Sequence, residues 1–106
     1  MKIEILYLAG CPNYQPAVSR VLEALQQEGV SAEMEDVEVK DAATARSVRF
    51  LGSPTIRIDG QDVEPSARSA QAFGLTCRTY ADQGQRAGAP SVEWIRAAMR
   101  EAKDVR

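Results

Sequence analysis

Histidine is absent from the 106 residues. Ser–His and Cys–His nucleophile pairs are therefore excluded, and so is imidazole ligation of a metal. The two cysteines are too few to close a tetrahedral zinc site by themselves. No metal centre and no cofactor is expected. Blocks of one charge are also missing: lysines and arginines are interspersed with acids, and the formal net charge is −2. Neither a nucleic acid nor an anionic membrane is indicated as a partner. Long hydrophobic runs are lacking too. The first ten residues hold one lysine and a short apolar run that contains Glu4, too little for a signal peptide or a membrane span. The chain reads as cytoplasmic, where a pair of cysteines is more often reactive than a structural staple.

What is present is an ordinary globular composition, 44% hydrophobic and 26% charged. Length predicts one domain over residues 1–106. Its organising stretch is Leu6-Tyr7-Leu8-Ala9-Gly10-Cys11-Pro12-Asn13-Tyr14. Ile3 to Leu8 reads as a buried strand closed by Ala9-Gly10, and a helical pattern follows Cys11 at once. The Cys11 sulfur would then lie over a helix N-terminus, where free N–H groups and the positive end of the macrodipole favour a thiolate. An ordinary thiol has a pKa of about 8.5, and a shift to ~6.5 would leave it mostly ionised at neutral pH. The competing reading makes Cys11 a small apolar residue buried behind a strand.

Helix one is expected from about Asn13 to Glu28, with Ala17, Val18, Val21, Leu22 and Leu25 as its apolar stripe and Gly29 as a left-handed cap. Val30 to Val39 is the second strand. A slip in apolar phase between Met34 and Val37 points to a bulge or to a strand that changes partners, and Glu33, Glu35, Asp36 and Glu38 form its solvated side. Asp41 caps a short helix that ends near Gly52. Ile56 and Ile58 alternate with polar residues, and Asp59-Gly60 signals a tight hairpin entered through Ser53-Pro54. The residues leave the isomer of the Ser53–Pro54 bond open. The final helix begins at a Ser91 cap and carries Trp94, Ile95, Ala98, Met99 and Ala102 inward, with Lys103 to Arg106 frayed.

This order gives an α/β fold, a four-stranded mixed sheet with helices on its faces. A Cys-Pro-x-x turn after the first strand, a Ser-Pro-Thr opening the third and an Asp-Gly hairpin resemble the thioredoxin and glutaredoxin superfamily, over about residues 1–64 and the last helix. The resemblance implies that Pro54 is cis and that Ser53 and Pro54 face Cys11, offering backbone groups to a bound thiol or peptide. It also makes Pro12, Tyr14 and Thr55 candidate substrate contacts. One departure is plain. Tyr14 stands where a dithiol member has its second cysteine, so Cys11-Pro12-Asn13-Tyr14 cannot close an internal disulfide.

Residues 65–90 form an insertion before the last helix. A short helix capped by Ser66 over Ala67, Ala70 and Phe73, an extended Leu75–Tyr80 and a mobile polar loop over 81–89 are expected in it. Its Cys77 is either a resolving thiol for Cys11 or a filler beneath the insertion. Arg78 and Arg68 are candidates to hold the thiolate or an anion such as glutathione or an oxyanion; the plainer reading puts both on the surface.

The leading functional expectation is thiol–disulfide exchange through Cys11, with protein or small-molecule disulfides and thiols as partners. Ser-Pro-Thr, Leu-Thr-Cys-Arg and Trp-Ile-Arg also resemble stretches of small bacterial thioredoxin-like proteins associated with organomercurial lyases, which implies thiol capture of a soft metal. The alternatives are a non-catalytic thioredoxin-like binding module and a monothiol enzyme acting on an oxyanion, in the manner of arsenate reductases.

Overall fold

The computed structural model describes residues 1–104, and for Asp104 the backbone alone. Its centre is β1 (Lys2–Tyr7), whose Ile3 and Ile5 are fully buried against one face while Leu6 is buried on the other. α1 (Tyr14–Glu28) crosses over to β2 (Glu33–Glu38), which pairs parallel with β1. After α2 (Ala42–Ser47), β3 (Thr55–Ile58) returns antiparallel to β1 and turns into β4 (Gln61–Asp62). The result is a four-stranded mixed sheet in the order β2-β1-β3-β4, flanked by helices. A separate two-stranded sheet, β5 (Tyr80–Asp82) with β6 (Gln85–Ala87), precedes α3 (Val92–Asp104). Among the described residues no helix is long and apolar enough to cross a membrane.

Two cores hold the sheet. Ile3, Ile5, Ile56 and Ile58 meet Ala17, Val21 and Ala24 of α1 and Ile95, Ala98 and Met99 of α3. On the opposite face Leu6, Val39, Ala45 and Phe50 form a smaller cluster. The small residues Ala17 and Ala24 let α1 lie close to its neighbours, and that choice rotates Leu22 outward, where it is 52% exposed. Leu22 therefore does not belong to the buried stripe expected of it. Trp94 is half-buried rather than central, its ring edge-on to Tyr80 with centroids 6.3 Å apart.

Local chemistry explains the boundaries. The Asp41 carboxylate accepts from the Thr44 amide at 2.7 Å and starts α2, as expected of a cap. That helix stops at Ser47, well before Gly52, because Arg49 turns left-handed at φ 59° and sends Phe50 into the core. Asp59 and Gly60 both take positive φ, the geometry of a tight two-residue hairpin. β2 shows no bulge: its pairing runs residue for residue from Lys2↔Glu33 to Tyr7↔Glu38. Val30 and Ala32 pack under the core before the strand begins, and Val37 with Val39 sets its inward phase. The helix expected over 66–74 is a single 3-10 turn, Pro65–Ala67, and the expected loop over 81–89 holds the β5–β6 hairpin. Lys103 and Asp104 are helical, and the frayed end expected at Val105 and Arg106 lies outside the described residues.

α1 and α3 are clamped at one end by Glu28, which accepts from Arg96 Nε at 2.8 Å and from Arg100 Nε and Nη2 at 3.1 and 2.9 Å. The hydrogen bonds from Arg100 and Arg96 hold the Glu28 carboxyl below its ordinary value of 4.5. A folded-state pKa below the unfolded one adds stability above about pH 4.3, and that contribution disappears as pH falls through the depressed value. Glu28→Gln is therefore expected to flatten the acid limb of a stability–pH profile below about pH 4.5, measured by urea melts at fixed ionic strength.

Candidate functional site

The chain leaves β1 through a tight turn in which the Cys11 amide donates to the Leu8 carbonyl at 3.1 Å and the Tyr14 amide to the Cys11 carbonyl at 3.3 Å. Cys11 thus sits between β1 and α1, partly buried. The residue before the helix, Asn13, makes no side-chain cap, so it does not claim the first-turn amides. Instead the Asn13 side chain lies flat on Gly88, where an added Cβ would fall 2.3 Å from the Asn13 Cγ. The segment after β6 is thereby pressed onto the cysteine turn. Pro12 is exposed, while the Tyr14 ring stacks tilted on Tyr7 with centroids 4.5 Å apart. Partial burial, with the Asp36 carboxylate beside it, raises the Tyr14 hydroxyl above its usual pKa of 10.0.

The second half of the site is the entrance to β3. The Ser53–Pro54 bond is cis. Ser53 is buried, and its three polar groups are all engaged. Its Oγ accepts from the Leu8 amide at 3.0 Å, its N–H donates to the Thr76 carbonyl at 2.9 Å, and its carbonyl accepts from the Arg78 amide at 3.0 Å. The last two bonds make a parallel bridge between Ser53 and Cys77. Segment 76–78 is therefore a strap laid along Ser53, and Cys77, its central residue, is exposed. Gly52 makes the fit possible: a Cβ there would stand 2.9 Å from the Arg78 Cβ, and its φ of 137° is one that side-chain-bearing residues rarely adopt.

Arg78 anchors the strap from below. Its Nη1 donates to Thr55 Oγ1 at 3.0 Å and Asp62 Oδ2 at 2.8 Å; its Nη2 donates to Asp62 Oδ1 at 3.0 Å and Glu64 Oε1 at 2.9 Å. Those four bonds use every N–H of the two terminal nitrogens. The guanidinium also lies over the Tyr80 ring, 4.4 Å from its centroid, and the Tyr80 hydroxyl donates to the Pro54 carbonyl. Burial opposes the charge on Arg78, but Asp62, Tyr80 and Glu64 outweigh it and hold its pKa above the ordinary value. Burial in turn raises the Tyr80 hydroxyl above its own.

Several expected roles change accordingly. Arg78 holds the strap and offers no free terminal N–H to an incoming anion. Thr55 is fully buried, its Oγ1 donating to the Gly52 carbonyl at 2.6 Å, so it supports the turn from inside. Arg68 is committed to Glu101 at 3.1 Å and to the Asp62 carbonyl at 2.9 Å. Ser53 is bonded to Leu8 on the Cys11 side and to the residues flanking Cys77, with Pro54 next to it in the chain, while Pro12 is exposed and Tyr14 stacks on Tyr7. The residues that reading the sequence missed are Asp62, Glu64, Tyr80 and Gly88. Only Asp62 left a trace, as an acid two residues past a hairpin turn.

A cavity of about 480 Å³, lined by neither Cys11 nor Cys77, lies between α1, the β5–β6 hairpin and the start of α3.

Comparison with curated proteins and with solved structures finds no match. Residues 12–99, a span that holds Ser53, Pro54 and Cys77 and starts just after Cys11, match the family described as a domain of unknown function, DUF2703, and the chain belongs to that family.

Proposed function

We propose that the protein is a thioredoxin-like thiol–disulfide exchange protein in which Cys11 attacks and Cys77 resolves. The observation that carries this reading is Ser53, which bonds to both cysteine-bearing segments: its Oγ to Leu8, three residues before Cys11, and its backbone to the residues on either side of Cys77. The sheet order and the cis Ser53–Pro54 bond opening β3 support the same architecture. Tyr14 removes the usual neighbouring thiol, and the strap supplies another from sixty-odd residues on.

The Cys11 thiolate attacks one sulfur of a partner disulfide, forming a mixed disulfide and releasing the partner's other sulfur as a thiolate. The Cys77 thiolate then attacks the Cys11 sulfur, closing Cys11–Cys77 and releasing the second partner thiolate. Two electrons pass from the cysteine pair to the partner, and an external dithiol returns them. The substrate class is a protein or small-molecule disulfide. Paired thiolates would equally accept a soft metal ion as cargo.

The test has two parts. The rate at which the protein attacks a small aromatic disulfide is compared between wild type, Cys11→Ser and Cys77→Ser, and peptide mass after mild oxidation reports any Cys11–Cys77 link. The proposal expects a fast thiol that is lost in Cys11→Ser, together with that link. A fast Cys11 without the link would make this a monothiol enzyme. A slow Cys11 without it would leave a binding module that has lost the chemistry.

A further inference from the structure

We propose a second site, for a phosphate-bearing anion, in the cavity of about 220 Å³ where Arg49, Arg57 and Arg68 converge beside Phe73. It lies at the β3–β4 edge of the sheet, with Arg68, which pairs with Glu101 of α3, at its rim. Ile56 and Ile58 point into the main core, and Arg57, between them on β3, points the opposite way. Each water in the liquid occupies about 30 Å³, so the space admits a tetrahedral oxyanion and several atoms of whatever carries it.

The charges around it are unequally matched. Asp62, the acid in the lining, gives both oxygens to Arg78. Arg68 is paired with Glu101, and Glu4 stands across from Arg57 in the sheet register. Among the described residues, neither Arg49 nor Arg57 has a carboxylate within ion-pair distance. Arg57 donates one bond, from Nη2 to the Arg49 carbonyl at 2.6 Å. That bond braces the Arg49 backbone in its left-handed turn, and the Arg49 guanidinium lies over the Phe73 ring, 5.2 Å from its centroid. Two guanidinium groups thus line one cavity with donor edges unspent. Burial lowers the pKa of Arg57, with Arg78 and Arg49 adding repulsion against the attraction of Glu4 and Asp62. An anion seated there relieves that repulsion and accepts forked hydrogen bonds from both planes. The aromatic floor suits an ester whose alcohol carries a ring.

The experiment follows arginine Nε–Hε resonances of the labelled full chain while inorganic phosphate or phenyl phosphate is added at constant ionic strength. Saturable shifts confined to Arg49, Arg57 and Arg68 are expected. Arg49→Gln, at an exposed position whose side chain makes no hydrogen bond or ion pair among the described residues, should weaken binding about tenfold, the loss of one charge-assisted pair. Arg86→Gln on the far hairpin should bind as wild type does. Tighter binding of phenyl phosphate than of phosphate identifies an ester as the natural ligand class, and equal binding identifies the free ion. Shifts that never saturate, that spread evenly over all arginines, or that survive Arg49→Gln undiminished overturn the site.

Discussion

Asp62→Ala should cost the protein about 3–5 kcal/mol of stability, the penalty for leaving one member of a buried ion pair charged and alone. Arg78 and Asp62 have side chains only 7% and 6% exposed, so solvent cannot substitute for the missing carboxylate. Glu64, 17% exposed, retains one bond and limits the loss to part of the pair's full coupling. The control is the double variant Asp62→Leu with Arg78→Met, which removes both charges from the interior and should recover most of the deficit. Urea unfolding followed by Trp94 fluorescence reads the equilibrium, since Trp94 stands edge-on to Tyr80 beside the cluster. A second measurement separates local from global loss. In Asp62→Ala the amides of Ser53 and Arg78, which hold the strap, should exchange with solvent much faster than those of β1. Equal protection in the variant and wild type would mean that the strap stands without its anchor.

The ion cluster also shows where reading the chain alone stops. Asp41, Ser91 and Asp59-Gly60 were legible because each is a local device: a cap or a turn binds backbone within three residues of itself. The β3–β4 hairpin was legible because Ile56 and Ile58 alternate up to a tight turn, whereas the antiparallel pairing of β3 with β1 is a long-range choice that alternation does not encode. That Ser53 and Pro54 face Cys11 is what the resemblance implies, and the bond from the Leu8 amide to Ser53 Oγ, 45 residues apart, is a long-range contact that no local pattern announces. Arg78 was misread because its partners lie 14 to 23 residues away, and their acidity looks like ordinary surface until the strap covers them. The β5–β6 hairpin was missed for a related reason. Five of its six residues are not buried, so no alternation of apolar side chains marks it, and Gln83-Gly84 is a quieter turn signal than Asp59-Gly60. A helix over Ala67 to Phe73 had the better pattern. It loses to the long-range bonds of its ends, since Arg68 reaches back to Asp62 and the Gly74 amide donates to the Phe50 carbonyl.

Oxidation that joins Cys11 to Cys77 should stabilise the protein by about 4 kcal/mol relative to its reduced form, the chain-entropy value for closing so long a loop. Comparing urea unfolding of oxidised and reduced wild type measures this, with Cys77→Ser showing no difference between the two conditions. If oxidation instead yields disulfide-linked dimers of unchanged stability, Cys77 is only a surface thiol. The strap makes a further distinction between equilibrium and rate. The stabilisation resides in the unfolded chain, whose freedom the crosslink removes, so it depends on the two sulfurs being joined and not on how they met. The rate of joining depends on how long segment 76–78 stays against Ser53. Asp62→Ala should therefore form the same link with nearly the same stabilising effect once formed, but more slowly, because Arg78 no longer holds the strap down. A link that forms as fast in Asp62→Ala as in wild type would separate the buried ion cluster from the redox chemistry altogether.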